Sequence, residues 1–175
     1  DYDMTSWRHS CGVVLQDSHV FSESLARNIA VEDKHIDRTR LRTAARQANL
    51  EEFIEKLPLK YQTMVGAEGV GLSRGQEQRI FIARALYKDP SFVFLDEATN
   101  SLDANNERII TGNLLDFCKG RTVLIVAHRL STIRHADKIV VLHKGRIVEE
   151  GTHDELCARH GYYYELINNQ LIAMG

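Results

Sequence analysis

Phe92-Val-Phe-Leu-Asp96-Glu97 is an apolar run that ends in two adjacent carboxylates. If the run is a buried strand, both acids emerge at its C-terminal end, where open α/β sheets place their ligands. Neighbouring acids can divide the work of phosphoryl transfer: Asp96 suits the binding of Mg²⁺, and Glu97 suits the orientation and deprotonation of an attacking water. Thr122-Val-Leu-Ile-Val-Ala127 followed by His128 repeats the pattern, with one polar side chain at the end of an apolar run. Gly69-Val-Gly-Leu-Ser73-Arg-Gly75-Gln76 precedes a helical stretch from Glu77 to Tyr87. Free N–H groups and the helix dipole at such a start favour a phosphate. Each feature alone has a simpler reading: solvated acids at a strand end, a structural histidine, and a glycine-rich helix cap without a ligand.

The surrounding pattern predicts elements that bring these groups together. Cys11-Gly-Val-Val-Leu15 reads as a buried strand that leaves Gln16 at its C-terminal edge. From Phe21 to Pro90 the periodicity is helical: Leu41, Ala44, Ala45 and Ala48 share one face, Ile80, Ala83 and Tyr87 share another, and Asn49 is placed to cap a segment that stops before Pro58. Beyond Pro90 the expected order is strand 92–95, helix 104–117, strand 122–127, a short helix near 130–135 and strand 138–142. That alternation points to a parallel α/β sheet. Lys144-Gly145 predicts a hairpin turn into Arg146-Ile-Val-Glu149, and Thr152-His-Asp-Glu155 has capping-box spacing for a terminal helix that contains Tyr162, Tyr163 and Tyr164.

Composition narrows the possibilities. The 175 residues, 43% hydrophobic and 26% charged, are those of a globular domain with one core. A net charge of −2 lacks the basic excess of a nucleic-acid binder, so no nucleic-acid partner is expected. Apolar runs are far shorter than the roughly 20 residues needed to span a bilayer, and the start has no signal-peptide pattern, so the chemistry is expected in the cytosol. Cys11, Cys118 and Cys157 form no C-x-x-C pair and read as reduced thiols. The histidines from His128 to His160 follow no metal-ligand spacing.

Taken together and in order, these segments resemble the motor domain of ATP-binding-cassette (ABC) transporters. VVLQD is similar to the Q-loop, GLSRGQEQR to the signature motif, FVFLDEA to Walker B with its catalytic glutamate, NSLDA to the D-loop and AHRLSTI to the switch-histidine loop. The resemblance covers essentially the whole chain. It implies an α/β P-loop NTPase fold with a mostly parallel sheet and a helical insert. Residues 1–20 would form the Q-loop strand, 21–90 the helical subdomain, 91–150 the catalytic core and 151–175 a helical tail. VFSESLARNI, TMVGAEGVGLS and GRIVEEGTHDEL resemble exporter-type motors, and ARALYKDP and SLDANNE are similar to segments of bacterial peptide and bacteriocin exporters.

Carried over by position, the resemblance makes Glu97 the general base, Asp96 the Mg²⁺ partner and His128 the γ-phosphate sensor. Gln16 would join metal and water to the coupling helices of a transmembrane partner. Ser73, Gly75 and Gln76 would close over ATP held by a second motor in a head-to-tail dimer, with Asp103 at the interface. The implied setting is the cytoplasmic face of a bacterial membrane, where ATP hydrolysis powers export. A non-transport ABC ATPase and a catalytically silent half-site are the alternative readings; the intact Glu97 and His128 count against the second. The family's phosphate-binding loop reads G-x-x-x-x-G-K-[ST], and this sequence contains no Gly-Lys dipeptide. The resemblance therefore implies a C-terminal part of a motor, expected to bind ATP weakly and not to turn it over alone. Arg74 stands where the family usually has glycine, and Ala67-Glu68 displaces an acid by one position.

Overall fold

The computed structural model describes residues 3–31, 33–99, 101–126 and 133–173, with side chains through residue 169. Two compact units divide the chain, residues 1–126 and 127–175.

In the first unit, strands β1 (Cys11–Val14), β2 (Phe92–Asp96) and β3 (Thr122–Val126) form a parallel sheet in the order β1-β2-β3. β2 is central, which explains its apolar character: Val93 and Leu95 are buried, and the strand is paired along both edges. Gly12 sits where β1 meets the turn before β2, and a Cβ there would lie 2.5 Å from Pro90 Cγ, so only glycine allows this approach. Among the described residues β3 pairs along one edge only, and its Leu124 and Val126 side chains are exposed.

Around this sheet lie helices α1 (Met4–Ser10), α2 (Leu25–Ile29), α3 (Arg38–Gln47), α4 (Glu51–Glu55), α5 (Arg74–Lys88) and α6 (Ala104–Cys118), with a 3₁₀ turn at Lys60–Gln62. The amphipathic stripe expected of α3 is present: Leu41, Ala44 and Ala45 are buried, and Asp37 caps the helix through its side chain. α5 is buried more broadly than one face, with Ile80, Phe81, Ile82, Ala83, Ala85, Leu86 and Tyr87 all in the core. At about 1.5–3 kcal/mol for each fully buried large apolar side chain, this helix is a principal contributor to the stability of the unit. Asn28, fully buried on α2, is satisfied: Phe21 N–H donates to its Oδ1 at 2.8 Å and its Nδ2 donates to Phe21 O at 3.0 Å.

Asn49 departs from the expectation that it caps α4. It lies at φ 54°, in the left-handed region, and ends α3 instead, while Leu50 occupies the α4 N-cap without a side-chain hydrogen bond. Asparagine tolerates this conformation better than most residues, and a helix C-terminus is where it is commonly used.

In the second unit, β4 (Ile139–His143) and β5 (Arg146–Gly151) form the expected antiparallel hairpin. Lys144 and Gly145 both have positive φ, 47° and 75°, as a two-residue hairpin turn requires. The capping box at Thr152 is present, but the tail holds two helices, α7 (His153–Ala158) and α8 (Tyr162–Ala173). Ile139, Val141, Leu156, Tyr163 and Ile167 form the core of this unit. Tyr163, from the aromatic run, is therefore a packing residue; its hydroxyl lies 2.8 Å from His153 Nδ1. The first half of the short helix expected near 130–135, residues 130–132, lies outside the described residues, as does His128. The described cysteines are free thiols.

Candidate functional site

The parallel register determines where the polar residues emerge. Val14 is paired with Leu95, so Gln16 follows β1 at the same level as Glu97 follows β2. Asp96, paired with Val126, is the last strand residue and half-buried. Glu97 turns out of the strand at φ 50° while its N–H donates to Val126 O at 3.0 Å. A left-handed non-glycine residue costs on the order of 1–3 kcal/mol, and such strain concentrates at functional positions. Leu15 to Ser18 form a tight turn: Ser18 N–H donates to Leu15 O at 3.2 Å, and Leu15 N–H donates to Ser18 Oγ at 3.3 Å. Gln16 and Asp17 at its tip are exposed.

Beside these residues opens a polar cleft of about 350 Å³. Gln16, Asp17 and Ser18 line it from the turn after β1, Glu97 and Ser101 from the segment after β2, and Arg74, Glu77, Gln78 and Phe81 from the start of α5. Gln78 is buried, and its Nε2 has no hydrogen-bond partner. Gln16 is expected at the C-terminal edge of one strand and Glu97 at the end of another; both line this cleft, and Asp96 does not. Asp17, Ser18 and Ser101 also line it, and the signal for them in the sequence is position alone, beside Gln16 or in the loop just after the acid pair.

The start of α5 is built differently. Ser73 is the N-cap of a full capping box: Gln76 N–H donates to Ser73 Oγ at 3.3 Å, and Ser73 N–H donates to Gln76 Oε1 at 2.8 Å. These bonds occupy one acceptor on each side chain. The Ser73 hydroxyl proton and the Gln76 amide NH₂ are left as donors toward an anion. Gly75 packs beside the loop after β2: a Cβ there would lie 3.3 Å from Ser101 O. Arg74 is exposed and lines the cleft.

Asp103 is exposed and caps α6, accepting from Asn106 N–H at 3.0 Å and from Asn106 Nδ2 at 2.5 Å. The Asn106 side chain, followed by its backbone N–H, holds the Asp103 carboxyl below its ordinary value. Burial pushes the Arg79 guanidinium below its ordinary value, and the Asp103 carboxylate opposes that shift.

The donor set suits a magnesium nucleotide in part. Gln16 and Asp96 offer hard oxygen ligands, and among the described residues no three His, Cys, Asp or Glu gather into a metal cage. Mg²⁺ commonly takes one or two protein oxygens and completes its sphere with phosphate and water. The phosphate-cradling loop is not encoded in this sequence.

A profile of the ABC transporter family matches residues 1–100. The chain is 49% identical over 160 residues to a toxin RTX-I translocation ATP-binding protein of Actinobacillus pleuropneumoniae, covering 91% of this chain and 23% of that protein. It is 46% identical over 168 residues to an ATP-dependent lipid A-core flippase of Saccharophagus degradans, covering 96% of this chain and 29% of the relative. A solved structure of a bacterial Atm1-family ABC exporter with ATP bound superimposes with a TM-score of 0.90 at 40% identity, covering 95% of this chain and 30% of that one. The chain thus spans less than a third of the length of these relatives. With a family match over more than half of its residues and the parallel-sheet ABC ATPase fold, the chain belongs to the ABC transporter family.

Proposed function

We propose that this chain carries the hydrolytic and dimer-closing motifs of an ABC exporter's nucleotide-binding domain, in a protein that uses ATP to drive export. The observation that carries this reading is the arrival of Gln16 and Glu97 on one polar cleft beside the start of α5. Magnesium ATP, when bound, supplies the phosphoryl group to be transferred and the metal charge that neutralises it. Asp96, at the end of β2, and the Gln16 amide oxygen, on the cleft, would hold the metal. Glu97 orients a water at the strand edge and takes its proton on the carboxylate. The Ser73 hydroxyl and Gln76 amide donate to the nucleotide held by a second copy of the motor, and Asp103 borders that interface. His128, outside the described residues, senses the γ-phosphate. Preorganised donors of this kind act by stabilising transition-state charge, so closure of the dimer and hydrolysis go together.

In this reading residues 21–90 are the helical subdomain and residues 91–150 the catalytic core. Among the described residues no helix is long and apolar enough to cross a membrane. The membrane partner is a set of transmembrane helices contacted near Gln16, with the motor on the cytoplasmic face. A peptide or protein cargo draws its support from relatives named for toxin translocation and cyclolysin secretion, while relatives of similar identity are named for lipid A-core flipping and multidrug export. The phosphate-binding loop is supplied by sequence other than these residues, so this stretch by itself binds ATP weakly and does not hydrolyse it.

The test is Mg²⁺-dependent phosphate release by the whole transporter against its Glu97→Gln variant. Loss of turnover with ATP still bound supports the reading; equal turnover in both removes Glu97 from its role.

A further inference from the structure

Three segments distant in sequence meet behind the start of α5. Arg79 Nε donates to Gly75 O at 3.2 Å, and its Nη1 donates to Asn49 O at 2.6 Å and, more weakly, to Asn106 Oδ1 at 3.4 Å. Asn49 Nδ2 donates to the same Asn106 Oδ1 at 2.7 Å. The other end of that amide, Asn106 Nδ2, donates to the Asp103 carboxylate at 2.5 Å. Asn106 thus lies between a cation and an anion with its dipole aligned to both, oxygen toward Arg79 and NH₂ toward Asp103. Flipping the amide would set its NH₂ against two donors and its oxygen against a carboxylate, so the charges determine its orientation. Asn49 reaches the network because it ends α3 in the left-handed conformation.

We infer that Arg79 and Asn106 are positioning residues that lock the Ser73–Gln76 turn and the Asp103 cap into one rigid piece, so that both present their groups to a partner motor together. The close approach of Gly75 to Ser101 O is a second tie between the same two segments. Asn113 Nδ2, donating to Gln47 O at 2.7 Å, holds the next turns of α6 to α3 independently of Arg79. Removing Arg79 should therefore loosen the Asp103 end of α6 and spare its middle. The inference rests on the proposed role of Ser73, Gly75, Gln76 and Asp103 at a dimer interface.

The test uses the intact transporter without nucleotide. Amide hydrogen exchange is measured for Arg79→Ala, Asn106→Ala and the double variant. In both single variants the backbone amides at positions 106 and 107, which bond to Asp103, should exchange about tenfold faster while those near Asn113 and in β1–β3 stay unchanged. The double variant should add little to the larger single effect, as expected of residues acting as one unit. Unchanged exchange at Asn106 in Arg79→Ala, a rise spread over the whole unit, or additive effects would overturn the inference. Arg79→Lys, which keeps the charge without the fork, guards against a variant that does not fold and should fall between wild type and Arg79→Ala. Hydrolysis is then compared: a lower kcat with KM within about twofold marks a positioning role, and unaltered kcat despite loosened exchange overturns it. If wild type itself does not hydrolyse ATP, the proposed function fails, while the exchange data still decide whether the lock exists.

Discussion

The two sides of the cleft are assembled by different means. At the sheet edge, strand register alone brings Gln16 and Glu97 level, and the exposed tip of the β1 turn gives Gln16 room to meet a metal, a water or another protein. At the start of α5, hydrogen bonds fix the helix itself: the capping box ties Ser73 to Gln76, and Arg79 ties the helix through Asn49 and Asn106 toward Asp103, while Arg74 and Gln78 Nε2 stay outside these bonds. The first side suits chemistry that needs adjustable groups around a moving proton. The second suits a rigid surface that another subunit closes upon.

The largest test of this contrast is Glu97→Gln, expected to reduce phosphate release by the whole transporter on the order of 10²–10⁴-fold without loss of ATP binding. An effect below about tenfold would mean that the sheet edge does not carry the chemistry.

At the rigid side, Ser73→Ala removes both cap and hydroxyl donor and should cost about 1 kcal/mol in a urea titration. Ser73→Asp keeps a capping acceptor and should recover that stability. It carries no hydroxyl proton, so its hydrolysis should stay as low as that of Ser73→Ala. Recovery of both properties by aspartate would reduce Ser73 to a cap.

Acid titration gives a smaller effect. The Asp103 carboxyl is held below its ordinary 3.8, principally by the Asn106 side chain. A depressed carboxyl stabilises the fold above its unfolded value, and that contribution is lost as pH falls through the folded value. Asp103→Asn should therefore melt below wild type at neutral pH, and the gap should close as the medium is acidified beneath the ordinary carboxylate range. A gap independent of pH would show that the carboxylate charge is not what caps α6.

The smallest change is expected from Arg74→Gly. Arg74 is exposed and makes none of the capping bonds of α5, so hydrolysis should stay within about threefold of wild type. A large gain would show that its side chain obstructs the cleft.

Legibility in the sequence followed the range of the interactions. The strand expected at 92–95, the helix expected at 104–117, the hairpin turn at Lys144-Gly145 and the capping box at Thr152 depend on neighbours within a few residues; all appear, the strand and the helix each one residue longer. Asn49 ends α3 and does not cap α4, since asparagine serves both helix ends and only the packing of α3 decides which it terminates. The single tail helix became two because Gly161 and the left-handed His160 interrupt it. The Arg79 network could not be foreseen, since its members lie 27, 30 and 57 residues apart and none breaks a local rule.

By itself the sequence determined the alternation of strands and helices, the residue types at each strand end and the family to which they belong, because periodicity, turn residues and motif spacing are local properties of the chain. Tertiary structure alone decided that Gln16 and Glu97 open on the same cleft and that Asp103 is reached from Arg79 through a single amide. Those outcomes depend on register between strands and on directional hydrogen bonds across long separations, which no local pattern encodes.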